Sequence, residues 1–175
     1  MRRPAVLAAL GLVAGAITLA ACSGSNFDPV EPAFAAEITG AVTRSAVGVS
    51  AFGVVRDGGQ TGFTFLMEDE TGAAIILQKP TIAKPVLGAY EIVAPEQVGP
   101  IDMYRGVVRI IVDGALEEYT AQSGTLIITE ATPTSLKGTF EFAAVRTSPC
   151  CDPEPVAIQV TGTYTAIQGP VTALR

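Results

Sequence analysis

The chain has no histidine and no tryptophan, and its three cysteines stand at positions 22, 150 and 151. Without histidine it lacks the side chain that most often serves as general base near neutral pH and as metal ligand. A Ser-His-Asp triad, a Cys-His pair and a His-based zinc site are therefore excluded. Basic residues are few: eleven Lys and Arg face seventeen Asp and Glu, a formal charge of −6. That balance does not supply the cationic footprint that nucleic-acid phosphates require, so no nucleic-acid partner is expected. Helical periodicity is missing from about residue 36 onward, where period-two alternation prevails.

The one long apolar run lies at the start. Arg2 and Arg3 form a short positive segment, and Pro4 to Leu19 form an apolar stretch of secretory type. It is shorter than a span of about 20 residues and carries Gly11 and Gly15, which favours a processed leader over a retained helix. It closes on Leu19-Ala20-Ala21-Cys22, which resembles the lipobox of bacterial lipoproteins. The resemblance implies a diacylglyceryl group on the Cys22 thiol, cleavage between Ala21 and Cys22, and an acylated new amino terminus. Ser23 stands where an aspartate would resemble an inner-membrane retention signal, which points to an outer membrane, facing the periplasm or the cell exterior. "MRRPAVL" lacks the polar residue expected before a twin-arginine export pair, so the general secretory route is expected.

The expected partner is thus a lipid bilayer, reached through acyl chains on Cys22. One chain binds only marginally, at about 0.8 kcal/mol per buried methylene, whereas two or more hold firmly. Loss of Arg2 and Arg3 with the leader takes the formal charge from −6 to −8, which disfavours a further electrostatic contact with anionic lipid.

Three segments follow: a signal peptide over 1–21, a flexible tether over 22–35 and an all-β domain over 36–175. The tether, "SGSNFDPVEPAFA", is small, polar and proline-bearing without periodicity. In the domain, "FTFLMED" puts Phe63, Phe65 and Met67 on one face, and "EDETG" turns the chain into "AAIILQK" with Gly72 open to a left-handed backbone. "EITGAV", "VGVSAFGVV", "GAYEIV", "GVVRIIVD" and "EEYTAQ" are further strand candidates, and "KPTIAKP" reads as an extended connection. In "GVVRIIVD", Val108, Ile110 and Val112 can face a core, while Val107 and Ile111 share the other face with Arg109.

A phrase recurs in the second half. "SGTLIIT", "KGTFEFAA" and "TGTYTAI" each set Gly-Thr before alternating side chains, at intervals too unequal for a strict repeat. The simplest reading is that each glycine starts a strand at a turn. In this form residues 118–167 resemble the C-terminal half of small all-β domains found in bacterial lipoproteins, a resemblance that implies no activity. The expected fold is a single antiparallel β-sandwich of eight to ten strands, with a small closed β-barrel as the alternative.

No catalytic constellation stands out, and no cofactor or metal is expected. Eleven glutamates and six aspartates single out no pair of the kind a glycosidase needs. Lys79, Lys84 and Lys137 stand in no motif with serine. Glu68-Asp69-Glu70 lacks the spaced ligands of a calcium loop and reads as a solvated hairpin tip. Glu117 and Glu118 are consecutive and should point to opposite faces. The expected role is therefore structural or binding work by a membrane-anchored, non-catalytic domain. A carrier of an apolar small molecule, with a cavity lined by Phe63, Phe65 and Ile110, is the alternative, and a carboxylate-based hydrolase ranks third.

"TSPCCDPEP" is the most unusual stretch of the domain. Outside the cytoplasm two thiols tend to oxidise. Adjacent Cα atoms stand about 3.8 Å apart, while relaxed disulfides need about 4.4 Å or more, so a Cys150–Cys151 ring is strained. A redox switch, an intermolecular bridge and a soft-metal site with Asp152 or Glu154 are the functional options. The preferred reading is a loop shaped by Pro149, Pro153 and Pro155. Changing both cysteines to serine is then expected to leave the melting temperature, the metal content and the migration on a non-reducing gel unchanged. Loss of a covalent dimer or of a stoichiometric metal would overturn this reading.

Overall fold

Alternating side chains carry the chain into strand along most of its length. The computed structural model describes residues 33–57, 60–97, 100–147 and 155–171. Nine strands run through them: β1 (Ala33–Gly40), β2 (Arg44–Asp57), β3 (Gln60–Asp69), β4 (Ala74–Lys79), β5 (Gly88–Val93), β6 (Arg105–Val112), β7 (Ala115–Ala131), β8 (Ser135–Arg146) and β9 (Ala157–Gln168). β1 begins inside the segment read as a tether, because Phe34 is taken into the core.

Successive strands pair antiparallel, with β4 passing to β6, and β9 returns to β1 along a ladder from Ala33↔Thr165 to Gly40↔Ile158. β8 pairs with β7 as well as with β9, so eight strands close on themselves. β5 is the ninth: it pairs with β7 between Ser123 and Ile128, on the edge that β6 uses between Ala115 and Thr120. The architecture is therefore an eight-stranded antiparallel barrel with one added strand, and the expected sandwich is corrected to its alternative. Both folds bury one face of every strand, so alternation alone does not separate them. The β1–β9 ladder does.

The turns follow local chemistry. Asp113 and Gly114 both have positive φ, 51° and 82°, in a two-residue hairpin loop between Val112 and Ala115, the arrangement that an Asp-Gly pair favours. Gly72, at φ 82°, closes the β3–β4 turn in the left-handed conformation expected of it. "EEYTAQ" and "SGTLIIT" prove to be one strand, β7. Register shifts between Ala121 and Ser123 and between Ile128 and Glu130 let it bend with the barrel wall.

An eight-stranded barrel has an interior just wide enough for side chains to fill. Phe52, Phe63, Phe65, Tyr104, Tyr164, Phe140 and Phe142 fill much of it, with ring centroids 5.2–6.4 Å apart where they meet. The three glycines of the recurring phrase make room for them. They lie inside strands rather than at turns, each directly opposite an aromatic residue: Gly124↔Phe142, Gly138↔Tyr164 and Gly162↔Phe140. A methyl group at Gly162 would stand 2.5 Å from Phe140 Cζ and 2.6 Å from the Ala35 carbonyl oxygen, and one at Gly138 would meet the Ile127 carbonyl oxygen first and then Tyr164 Oη at 2.8 Å. The turn-start reading of these glycines is thereby corrected.

The outer wall bears exposed polar side chains such as Glu37, Ser45, Glu141 and Thr161. The same wall also bears exposed Val47, Val49, Ile111 and Ile127, while the interior is apolar rather than polar.

Gly162→Ala is expected to destabilise the barrel by about 1–3 kcal/mol through overpacking, and Phe140→Ala by about 3–5 kcal/mol through the cavity it leaves. Because the added methyl meets the Phe140 ring, the double variant should be less destabilised than the sum by at least ~0.5 kcal/mol. Urea denaturation of the four proteins checks this. Strict additivity would mean that glycine and ring do not meet.

Candidate functional site

Strand direction sorts the connections between two ends. The upper end carries the turns at 41–43, 70–73 and 113–114, together with Thr147 and Pro155, which flank the β8–β9 connection. The lower end carries the start of β1 at Ala33, the segment 80–87, the turn at 132–134 and the chain beyond β9.

At the upper mouth Asp69 is only 9% exposed, although its neighbours Glu68 and Glu70 are exposed. Its Oδ1 accepts hydrogen bonds from the Thr71 amide, the Thr71 hydroxyl and the Ala73 amide, and its Oδ2 takes an ion pair from Arg44 Nη2 at 2.9 Å. Burial pushes this carboxyl upward, but the Thr71 and Ala73 hydrogen bonds and the Arg44 charge outweigh it and hold it below the usual range. The expected solvated tip is therefore an organising residue of the turn. Its phase reveals this, since Asp69 continues the inward series Phe63, Phe65, Met67.

Glu117 and Glu118 point to opposite faces, as expected. Glu118 pairs on the outer wall with Arg109 at 2.8 Å. Glu117 turns inward, meets Arg146 at 3.1 Å and accepts a 2.5 Å hydrogen bond from the Tyr119 hydroxyl. Burial, then the Glu117 carboxylate, push that phenol up to about 12.

The lower mouth holds what sequence reasoning missed. Lys79 ends β4 on the inward phase of Ile75 and Leu77; its side chain is 2% exposed. Its Nζ stands 3.1 Å from Asp102 and 5.8 Å from the centre of the Tyr90 ring. Among the described residues no ladder joins β4 to β5; the Tyr90 ring lies between the Lys79 ammonium and the Tyr104 ring, while Tyr104 bridges to Ile92 of β5 through its backbone. Segment 80–87 crosses below. Lys84 donates to the Thr132 and Pro133 carbonyls and lies 4.6 Å from the Phe52 ring centre, and Pro85 is buried. Burial lowers the Lys84 ammonium. Tyr104 is fully buried, and its hydroxyl has no partner among the described residues. Burial pushes that phenol far above its usual value, so it stays protonated and offers a donor, not a base.

Phe63, Phe65 and Ile110, the residues expected to line a carrier's cavity, are 2%, 0% and 0% exposed and belong to one packed cluster. A shallow groove of about 340 Å³ lies at the outer wall instead, where Ala35 sits low between Val47 and Thr163, with Glu37 and Thr161 beside it. It offers one carboxylate and two hydroxyls, a sparse set for a specific ligand. Among the described residues no three acidic or cysteine side chains converge as a metal site. Ala21, Cys22, Cys150 and Cys151 lie outside the described residues.

These features define the class: a closed antiparallel barrel with an aromatic interior, ion-paired at one mouth and crossed by a loop at the other. Comparison with protein families, with curated proteins and with solved structures found no match for this chain.

Asp69→Asn tests the upper mouth. The wild-type carboxyl titrates below its unfolded value, so its contribution is complete above about pH 4 and is lost as pH falls through the lower folded value. The variant is expected to lose about 1–3 kcal/mol at neutral pH, with the deficit shrinking below about pH 4. Denaturant midpoints from pH 2 to pH 7 check this, and a deficit independent of pH would contradict it.

Proposed function

We propose that this chain is a lipid-anchored protein of the cell envelope whose barrel performs structural or binding work without catalysis. Its anchor is the acylated Cys22 left by cleavage after Ala21, and it belongs to an outer membrane, facing the periplasm or the cell exterior. The anchor reading rests on Leu19-Ala20-Ala21-Cys22 and the charged, apolar leader before it.

The observation that carries the non-catalytic reading is the packed interior. Phe63, Phe65 and Ile110 meet other side chains, which leaves the outer wall, the groove at Ala35 and the two ends for interaction. The carboxylates Asp69, Asp102, Glu117, Glu118 and Glu130 each pair with a cation rather than converging on one another. This favours structural ion pairing over hydrolysis. The carrier reading draws on the closed barrel and on the Tyr104 hydroxyl, a buried donor with no partner among the described residues.

Cys22→Ser is expected to leave an uncleaved precursor without added lipid. Mass spectrometry of the wild type should find acyl groups at residue 22, and an unmodified mature amino terminus would overturn the anchor. Native mass spectrometry of the detergent-extracted wild type is expected to show the lipidated chain with no further bound molecule. A stoichiometric apolar ligand would establish the carrier reading instead.

A further inference from the structure

The loops of the lower end are apolar where loops are ordinarily polar. Val86 is 69% exposed, Leu87 60%, Ile101 66% and Ile82 46%. The first, second and fourth of these belong to segment 80–87, and Ile101 belongs to the neighbouring loop, tied in through the pairing of Asp102 with Lys79. Scattered exposed apolar residues need no explanation, but a group gathered on two loops at one end does. Packing does not require them, since the buried groups of that end are Pro85, the Lys84 stem and the inward rings.

The same end receives the chain from the anchor. Ala33 pairs with Thr165, which also pairs with Lys137 across β8. Gln168 donates to the Thr134 carbonyl, and Lys84 donates to the Thr132 and Pro133 carbonyls of that same turn. The start of β1 and segment 80–87 therefore meet around one turn. Ten residues lie between Cys22 and Ala33, eleven steps of the chain, so a fully extended connection reaches at most about 40 Å, and a flexible one averages about 17–20 Å. A chain anchored at Cys22 thus enters the barrel at this end, which a flexible connection keeps nearer the lipid than the opposite one. Asp102, the exposed carboxylate beside Ile101, is matched by the Lys79 ammonium, which reduces the cost of bringing it to an interface.

We propose that the lower end is a membrane-contacting tip: Ile82, Val86, Leu87 and Ile101 insert among lipid headgroups and the first acyl carbons, so that the barrel stands upright on the bilayer. This rests on the anchor reading above and adds an orientation to it. β8 has 12 residues, and strands tilted as in a barrel of this size rise to about 30 Å. The upper mouth, with Arg44–Asp69, is then presented about that far from the membrane.

The absence of native tryptophan allows a direct test. Leu87→Trp places a sole indole at the tip, and Leu116→Trp, at an equally exposed site of the upper end, is the control. The lipidated chain is reconstituted in phosphatidylethanolamine–phosphatidylglycerol vesicles with and without brominated acyl chains. Leu87→Trp should shift to the blue and lose most of its emission to the brominated lipid, and Leu116→Trp should do neither. Adding Val86→Asp to Leu87→Trp should restore most of the emission while the chain still floats with the vesicles.

Equal responses at the two positions, in a chain that floats and carries acyl groups, would overturn the tip and leave the anchor standing. A blue shift without vesicles, accompanied by a dimer in sedimentation, would assign the patch to a second copy and also overturn it. If mass spectrometry finds no acyl group, the anchor reading fails. The same variants, with Cys150→Ser and Cys151→Ser and coupled through Cys22 to a maleimide phospholipid, then decide the tip by the same two outcomes.

Discussion

The barrel depends on glycine standing beside aromatic residues on neighbouring strands. Eight strands enclose a narrow space, and Phe140, Phe142 and Tyr164 fit there because Gly162, Gly124 and Gly138 face them without side chains. Glycine ordinarily weakens a strand, having nothing to pack and more backbone freedom to lose. Here the facing ring fills the space and covers the backbone, so the loss is offset by burial of a large apolar surface. β9 pairs with β1 and β8 with β7, so eight strands close on themselves and β5 alone stands as an added strand at an edge.

Closure divides the molecule into a uniform middle and two different ends. The middle is apolar and packed. The upper mouth is finished by inward-facing ions, Asp69 with Arg44 and Glu117 with Arg146, each also hydrogen-bonded to a neighbouring hydroxyl or amide. Half-buried charges tolerate such sites because every partner is in place, and removing one would strand the other. The lower mouth is finished by a covalent crossing, segment 80–87, with Lys84 bonded to the carbonyls of the β7–β8 turn.

Much of the strand content was legible from residues alone. Period-two alternation marked Phe63, Phe65 and Met67 as inward, and all three are buried. Gly72 marked its turn by backbone geometry, and Glu117 and Glu118 diverge because consecutive strand residues must. Less of the candidate site was legible. Lys79 and Asp69 are polar residues on an inward phase, and composition argues for solvent where phase argues for the interior. Phase prevailed, since each found a counter-charge on an element distant in sequence: Asp102 and Arg44. Tyr104 gave no local sign of its buried hydroxyl.

The amino-acid sequence by itself determined that the chain is rich in strand, that Phe63, Phe65 and Met67 face inward, that the chain turns at Gly72, and that histidine-dependent chemistry is out of reach. These are local properties, governed by the two-residue period of the strand, by backbone sterics at Gly72, and by composition. Only the tertiary structure decided that the sheet closes into a barrel, that "EEYTAQ" and "SGTLIIT" are one bent strand, and that three glycines pair with aromatic residues on the next strand. Each of these depends on register between strands far apart in the chain, and an alternating pattern is the same whether its buried face meets a second sheet or the far wall of its own.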